Sequence, residues 1–480
     1  MFLKKKECDM YKADENLVQK IDTWIESNKE AFVEDLERIV KIPSISGKKE
    51  DNYPFGKPCG DVLDEMISLA SEYGFQIENH DYYYGTLLVN GKKKEAKKIG
   101  MYAHLDVVPL GEGWHNPPLK CTLKDGFLIG RGVGDNKGPG ICALYALRFL
   151  KEFGIELKND VQIYYGCSEE TGMQDIEHFC KTQKLPDFNL VVDTNFPVCY
   201  GEKGLMRAKL SQKIEGNLIS FRAGSVVNVI PAKAEAVISN VEFEHAEKVL
   251  GSLPGISIVQ EDNVKVIATG ISKHAAFPEG AVNAIYVLAN ALAKSNLLVG
   301  KSLDVVRSIE KMTYNSYGEG CGIAYEDKES GKLTCVGSVI NIEDGELQIL
   351  FDVRYPVTVD GNEVIRKFSE IAKQLGYEVE ISELSEPAYV PLDNPYIEVL
   401  GKICDFVQGK HYEPYTMGGG TYARHLPCAV GFGPGVPDAD NPFEEGHGQG
   451  HQPDECIAVD VLLKGIKTYI IAILELDNML

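Results

Sequence analysis

The stretch "DVQIYYGCSEE", residues 160–170, joins an apolar run to two adjacent carboxylates, Glu169 and Glu170. Its β-branched and aromatic residues predict a strand that ends just before the two glutamates. The preceding segment, "KGPGICALYALRFLKEFG", has helical spacing and ends in Gly154, a residue typical of helix C-caps. A helical "GMQDIEHFCKTQ" and a strand-like "NLVVDT" follow. This alternation predicts an α/β fold with a mainly parallel sheet and helices on both faces.

The pattern changes after "GEKGLM", residues 201–206. Alternating segments such as "AKAEAVIS" and "ELQILFDVRY" predict a half-exposed antiparallel sheet. The α/β pattern returns after "PAYVPLDNP", residues 387–395. We therefore predict one α/β domain built from residues 1–204 and 392–480, with an α+β domain, residues 205–391, inserted between them.

Composition excludes several classes of partner. The 480 residues include 49 basic and 71 acidic ones, a net charge of −22. Nucleic acid and anionic lipid repel such a chain, so we expect neither as a main partner.

No run approaches the roughly 18 apolar residues of a membrane span. The N-terminal "MFLKKKECDMYK" lacks the apolar region of a secretory signal. The twelve cysteines form no C-x-x-C and predict reduced thiols in a cytoplasmic protein.

Side chains that bind metals follow three predicted strands, and one more opens the helix near residue 137. Because sites in open parallel sheets form beyond the carboxyl ends of the strands, these side chains are expected to converge. Their mixture of imidazole and carboxylate suits zinc or a similar divalent cation. The candidates are His104, Asp106, Asp135, Glu169, Glu170 and Asp193.

Each candidate taken alone has a simpler interpretation as a loop, turn or solvated residue. Their shared position at one sheet edge favours a site. Asp106 lies two residues after His104 on an extended segment, so its side chain points the same way and can orient the imidazole. The glycines of "GRGVGDNKG" do not have the spacing of a nucleotide loop, and no G-K-[ST] follows.

Five ordered motifs, "HLDVVP", "GRGVGDNKG", "CSEETG", "VVDT" and "GHQPDE", resemble those of the co-catalytic zinc peptidases that include aminoacylase, glutamate carboxypeptidase and carnosinase. Within that family, "PFGKPCGDVLDEM", "GGGTYAR" and the long middle domain are most similar to bacterial carnosinase-like dipeptidases. The resemblance implies that the α/β domain is catalytic and binds two metal ions. It implies that the inserted domain is a lid of doubled size.

The resemblance also implies a ligand set. His104 and Asp193 would bind one ion, Glu170 and His451 the other, and Asp135 would bridge them. Glu169 would be the general acid and base. His447 is the alternative to His451, which we prefer because it directly precedes Q-x-x-E. Zn²⁺ is the expected ion, with Mn²⁺ and Co²⁺ as alternatives.

The resemblance extends to the inserted domain and the segment after it. His274 would help to stabilise the oxyanion, and Asn228 would contact the substrate. Arg354 and the loop of Gly419, Gly420 and Thr421 would hold the free carboxylate of the substrate. The alternative for Arg354 is an ion pair within the lid sheet. Closure of the lid is expected to hinge near Gly204 and Pro391.

These implications predict a dipeptidase that cleaves dipeptides with a free C-terminal carboxylate through a water between the two metals. An N-acyl-amino-acid deacylase of the same fold is one alternative. A non-catalytic, metal-stabilised binding module is another, and the presence of Glu169 counts against it. A doubled lid can replace a partner subunit, so we expect a monomer, with a homodimer as the alternative.

Overall fold

The computed structural model describes residue 11, residues 13–343 and residues 345–480. The expectation that the N-terminus lacks a secretory signal concerns residues 1–10 and 12, which lie outside the described residues. Two compact units are present. The first comprises the described residues up to Gly201, together with Ala388–Tyr415 and Gly420–Leu480, and the second comprises Glu202–Pro387 and Thr416–Gly419.

The helices are numbered in chain order. They are α1 (Glu15–Val40), α2 (Lys57–Glu72), α3 (Lys137–Glu152), α4 (Gln174–Thr182), α5 (Phe243–Leu250), α6 (Ala284–Lys294), α7 (Lys301–Met312), α8 (Gly361–Gln374), α9 (Pro395–Gln408) and α10 (Val459–Met479). The start of α1 is set by Asp14, whose side chain accepts hydrogen bonds from the backbone N–H groups of Asn16 and Leu17. Asn394 caps α9 in the same way, and Pro395 follows as its first residue.

The strands are numbered likewise. They are β1 (Ile77–His80), β2 (Tyr84–Val89), β3 (Lys98–His104), β4 (Thr122–Lys124), β5 (Phe127–Ile129), β6 (Asp160–Gly166), β7 (Phe188–Val191), β8 (Thr194–Asn195), β9 (Cys199–Glu202), β10 (Gly204–Lys213), β11 (Leu218–Ala223), β12 (Lys233–Ile238), β13 (Ile256–Gln260), β14 (Val264–Thr269), β15 (Glu326–Asp327), β16 (Gly331–Lys332), β17 (Thr334–Glu343), β18 (Glu346–Tyr355), β19 (Glu378–Ser385), β20 (Ala388–Tyr389), β21 (Tyr415–Met417), β22 (Ala429–Gly431), β23 (Pro434–Gly435) and β24 (Cys456–Ala458).

The main sheet of the first unit has the strand order β1–β2–β6–β3–β7–β22–β9–β20. Its four central strands, β6, β3, β7 and β22, are parallel to one another. The flanking β2 and β9 pair antiparallel to this centre. The predicted α/β fold is therefore confirmed, and the sheet is mixed because its edges reverse direction.

Both faces of the central strands are buried, in two separate cores. On β3, Ile99, Met101 and Ala103 belong to a large core that also contains residues of α1, α2, α3, α9 and α10. Tyr102 points the other way, into a smaller aromatic core with Phe179 of α4. Because successive side chains of a strand point to opposite faces, the run of apolar residues needs a cover on each side.

The second unit contains an antiparallel sheet of order β13–β14–β12–β11–β17–β18–β10–β19. Alternate residues of β18, such as Leu347, Ile349 and Phe351, enter a core that includes Leu288 of α6 and Phe368 of α8. Those helices, with α5 and α7, therefore cover one face. This is the antiparallel architecture that the alternating sequence pattern predicts.

Two further sequence expectations concern the whole chain. The eleven described cysteines are all free thiols, and eight of them are buried, as expected for reduced, small core residues. Among the described helices, none combines the length and the apolar character that a bilayer span requires.

We predict opposite effects for two Gly→Ala changes in helices. A Cβ at Gly138, in the first turn of α3, would lie 2.1 Å from the carbonyl oxygen of Val133. Gly138→Ala is therefore expected to lower the free energy of unfolding by about 1–3 kcal/mol. Gly401 in α9 has open space around its Cβ position, so Gly401→Ala should raise it by about 0.5–1 kcal/mol. Denaturant titration of both variants checks this, and equal effects at both positions would contradict it.

Candidate metal centre

Three parallel neighbours, β6, β3 and β7, bring the predicted ligands to one edge of the sheet. His104 is the last residue of β3, while Glu169 and Glu170 follow β6 and Asp193 follows β7. Asp135 lies two residues before α3, and His451 lies in the segment that leads to β24. The structure brings all of these residues together, although His451 is distant from the others in sequence.

The two oxygens of Asp135 face two different histidines. Its Oδ1 lies 3.1 Å from Nε2 of His104, and its Oδ2 lies 3.1 Å from Nε2 of His451. The same nitrogen of each histidine also lies near a second carboxylate. Asp193 Oδ1 is 3.7 Å from His104 Nε2, and Glu170 Oε1 is 3.0 Å from His451 Nε2. Asp135 is therefore common to two groups of donor atoms.

Glu169 lies beside the first of these groups. Donor atoms of His104, Glu169 and Asp193 all lie within 4.8 Å of one another, as do those of His104, Asp135 and Glu170. His104 is fully buried, and Glu169 is half-buried. On distance alone, either glutamate is able to bind a cation.

The donor set fits divalent cations. Imidazole nitrogen and carboxylate oxygen are the ligands that zinc, manganese and cobalt accept in proteins. Four carboxylates of Asp135, Glu169, Glu170 and Asp193 meet at this edge with two histidines, so the ionised groups carry an excess of negative charge. Close like charges of this kind are costly unless protons or cations neutralise them.

The pKa values of these groups are displaced strongly. Hydrogen bonds to Asp135 and Glu170 raise the pKa of His451 to about 10. Burial raises the pKa of Asp193 to about 6, although the charge of His104 opposes the change. Burial also raises the pKa of Glu169 well above its usual range. The raised pKa values favour protonated forms at positions that a cation would take, so cation binding has to compete with protons.

The pKa of His104 reflects two opposed effects. Its burial disfavours the imidazolium, but the charge of Asp193 and hydrogen bonds to Asp106 and Asp135 raise the pKa well above its usual range. The pKa of Asp135 is lowered: burial raises it, but the hydrogen bonds from His104 and His451 outweigh that burial. The imidazole and carboxylate therefore stabilise each other's charged forms.

Asp106 supports the centre mainly through the backbone. Its Oδ1 and Oδ2 accept hydrogen bonds of 3.1 Å from the N–H groups of Glu169 and Glu170, respectively. Nδ1 of His104 lies 2.9 Å from the carbonyl oxygen of Asp106 and 3.5 Å from its carboxylate. The nearest partner of the imidazole is thus the Asp106 carbonyl and not the Asp106 carboxylate that the residue spacing predicted.

Three residues that position the candidate ligands were not predicted from the sequence. Oε1 of Glu455 accepts hydrogen bonds of 3.1 Å from the N–H groups of Gly132, Gly134 and Asp135. The side-chain amide of Asn136 donates to the Val192 carbonyl at 2.9 Å and to Asp193 Oδ1 at 3.0 Å.

The third is Asp175, which accepts hydrogen bonds from the N–H groups of Cys167 and Ser168, just before the glutamate pair. Asn136 and Glu455 stand inside motifs that the sequence argument quoted. The available signal was their place near two candidate ligands, since Asn136 directly follows Asp135 and Glu455 lies four residues after His451.

His447, the alternative to His451, has a different environment. Its Nδ1 lies 2.9 Å from Oδ2 of Asp454. Its donor atoms group with those of His115 and Glu444 rather than with those of the paired centre. The geometry therefore favours His451 as the partner of Glu170 and Asp135.

The second unit holds the residues expected in the lid. Nδ2 of Asn228 lies 3.4 Å from Nε2 of His274. Nδ1 of His274 accepts a hydrogen bond of 3.1 Å from the N–H of Ala276, so Nε2 carries the proton in the neutral ring and cannot accept from the Asn228 amide nitrogen, which is itself a donor. Gly419 belongs to this unit, whereas Gly420 and Thr421 belong to the first.

Arg354 forms an ion pair within the lid sheet. Its Nε and Nη2 donate to the two carboxylate oxygens of Asp352 at 2.7 and 3.1 Å, and Nη1 donates to the Gly418 carbonyl at 3.2 Å. Asp352 and Arg354 are two residues apart on β18, so their side chains share a face. These contacts use three of the five N–H groups of the guanidinium.

The fold and the paired carboxylate–imidazole centre define a metallohydrolase architecture. The chain belongs to the peptidase family M20/M25/M40, whose profile matches residues 100–475. It is 30% identical to the Beta-Ala-Xaa dipeptidase of Lactobacillus delbrueckii subsp. lactis over 473 residues, which cover 94% of this chain and 97% of that protein. The expected family resemblance is thereby confirmed.

Solved structures share the fold. Human carnosine dipeptidase 1 aligns with a TM-score of 0.58 and 16% identity, over 96% of this chain and all of that chain. The dipeptidase Dug1p of Saccharomyces cerevisiae aligns with a TM-score of 0.59 and 16% identity, over 96% of this chain and 98% of that one. At such low identity, these likenesses concern the fold alone.

We predict that Glu455→Gln destabilises the protein far more than Glu65→Gln. Both glutamates pair with an arginine at 2.7 Å, but Glu455 and Arg131 are buried, whereas the Glu65–Arg38 pair is about 30% exposed. Breaking a buried pair typically costs about 3–5 kcal/mol, and an exposed one about 0–1 kcal/mol. Chemical denaturation in the presence of a chelator measures both changes in the free energy of unfolding. Similar losses for the two variants would refute the proposed dependence on burial.

Proposed function

We propose that this protein is a metal-dependent dipeptidase that hydrolyses dipeptides with a free C-terminal carboxylate. The observation that carries the proposal is the position of Asp135, whose two oxygens face His104 and His451 separately. Membership of a peptidase family and the dipeptidase among its relatives support the reaction class.

We place two divalent cations in this centre. His104 and Asp193 would hold one, Glu170 and His451 the other, with Asp135 shared. When bound, such cations supply Lewis acidity, which polarises a peptide carbonyl and lowers the pKa of water. Zn²⁺ is the proposed ion because both groups combine histidine with carboxylate, and Mn²⁺ and Co²⁺ accept the same donors.

Glu169 is the proposed proton carrier. Its burial and its carboxylate neighbours favour the protonated form, while the charge of His104 favours the ionised form. A carboxyl group with such a balance can take a proton from the attacking water and give it to the leaving amine. The Asp106 carboxylate fixes the backbone of both glutamates, which holds Glu169 beside the proposed ligands, and we assign Glu169 itself no metal.

His274 and Arg354 are the proposed substrate contacts of the second unit. The proton on Nε2 of His274, implied by the Ala276 contact, suits donation to an oxyanion. Arg354 is held by Asp352, and two N–H groups of its guanidinium lie outside the contacts with Asp352 and Gly418. Those groups, together with Asn228 and the loop of residues 419–421, would hold the substrate.

We further propose that the protein is a monomer that acts in the cytoplasm on small peptides. The free thiols of the described cysteines support a reducing compartment. The size of the second unit, which includes Glu202–Pro387, supports a lid that needs no partner subunit.

We predict that Glu169→Gln and Glu170→Gln fail in different ways. Glu169→Gln should retain its metal and lose turnover by about 10²–10⁴-fold, the usual cost of removing a general base. Glu170→Gln should lose one metal ion per chain, because it removes a proposed ligand. Dipeptide hydrolysis and metal content are measured on the same samples. Loss of metal from Glu169→Gln, with retention by Glu170→Gln, would reverse the assigned roles.

We predict a distinct order of substrates. If Arg354 and the loop of residues 419–421 hold the substrate carboxylate, the scissile carbonyl of a dipeptide would reach the metals, and an extra residue would need room on the amine side. The value of kcat/KM is therefore expected to be highest for a dipeptide. It should be lower for the tripeptide extension and for the N-acetyl amino acid with the same C-terminal residue. The protein is first stripped of metal with a chelator, and each substrate is then assayed with Zn²⁺, Mn²⁺ or Co²⁺ added back. Preference for the acetyl compound would make the protein a deacylase, and no turnover of any compound would favour a non-catalytic module.

A further inference from the structure

A second cluster of metal-binding side chains lies outside the paired centre. One ring nitrogen each of His115 and His447 and one carboxylate oxygen of Glu444 lie within 4.8 Å of one another. The two rings are stacked, with centroids 4.7 Å apart and planes inclined by 2°. The cluster shares no residue with the groups that contain His104.

Asp454 is fully buried, and its carboxylate contacts both histidines of this cluster and the backbone beside His115. Its carboxylate accepts hydrogen bonds from the N–H groups of His115 and Asn116 at 3.1 and 2.9 Å. It also accepts one from the side-chain amide of Asn116 at 2.9 Å. An acceptor with this many donors is ionised, because a protonated carboxyl would have to donate one of these bonds.

The ionised Asp454 selects a tautomer for the histidines. Nδ1 of His447 lies 2.9 Å from its Oδ2, and Nδ1 of His115 lies 3.1 Å from the same oxygen. A proton on each Nδ1 is favoured there, which leaves Nε2 unprotonated. A carboxylate behind Nδ1 that frees Nε2 is the arrangement that supports metal-binding histidines in proteins.

His411 is an exposed histidine outside this cluster and serves as a comparison. Its side chain is 58% exposed, close to the 57% of His115. Its Nδ1 lies 2.6 Å from Asp405, but its Nε2 also faces a carboxylate, that of Glu413, at 3.1 Å. Both nitrogens of His411 therefore face carboxylates of different residues, whereas the rings of His115 and His447 are stacked on each other and share one oxygen of Asp454.

We propose that His115, His447 and Glu444 form a third metal site, which binds Zn²⁺ or another divalent ion that prefers imidazole. Two nitrogens and one carboxylate oxygen match a three-residue zinc site with a position left for water. His447 lies four residues before His451 in the same segment. An ion at this site would fasten that segment to the loop of His115, and so would fix the part of the chain that supplies a ligand to the paired centre.

The test counts Zn²⁺ ions by competition with a chromophoric chelator, on the full chain after metal removal. Wild type is expected to bind one more ion per chain than His115→Ala or Glu444→Gln. His411→Ala, which removes an equally exposed imidazole, should match wild type. The count is a difference between variants, so it is independent of how many ions the paired centre holds. If His115→Ala binds as many ions as wild type, the third site does not exist.

An anomalous difference map from crystals grown with Zn²⁺ gives the location. A peak between His115 and His447 is expected in wild type, and it should be missing from His115→Ala. Melting temperatures measured in chelator establish that the variants are folded. A lower count in His115→Ala without a peak at this position in wild type would overturn the assignment of these ligands.

Discussion

The carboxylate of Asp135 is the group on which the metal centre depends. It faces a histidine with each oxygen, so the two donor groups exist as a pair only while its position is fixed. That position is set by Glu455, which accepts the N–H of Asp135 and those of two preceding glycines. Arg131 in turn pairs with Glu455 at 2.7 Å in a buried environment. One buried ion pair thus controls the geometry of both groups of donor atoms.

The fold and the centre differ in how far the sequence determines them. Parallel order places strand ends at one edge, so His104, the glutamate pair and Asp193 were predictable from where apolar runs stop. Glu455 was not, because its partners lie more than 300 residues earlier in the chain. The prediction of a mainly parallel sheet did not specify its reversed neighbours β2 and β9, and β9 has only four residues, all buried, so it shows no alternation.

Arg354 is an intermediate case. A residue spacing of two on a strand places Asp352 and Arg354 on the same face, so their ion pair was foreseeable and was kept as an alternative. The pair does not exclude a substrate contact, because a guanidinium has five N–H groups. Sequence spacing gives the pair but not the direction of the remaining donors, which depends on the packing of the whole face.

Buried carboxylates that accept hydrogen bonds from loop backbone explain why two adjacent glutamates, Glu169 and Glu170, can follow β6. Asp106 uses one oxygen for the N–H of Glu169 and the other for that of Glu170, so the turn is held whether or not a cation is near. Asp175 holds the two preceding N–H groups of Cys167 and Ser168. Asp454 does the same for the loop of His115. Each carboxylate exchanges hydration for several backbone donors, which offsets the cost of burying its charge. Part of the acidity of this chain therefore lies inside the protein, where it positions the candidate metal ligands.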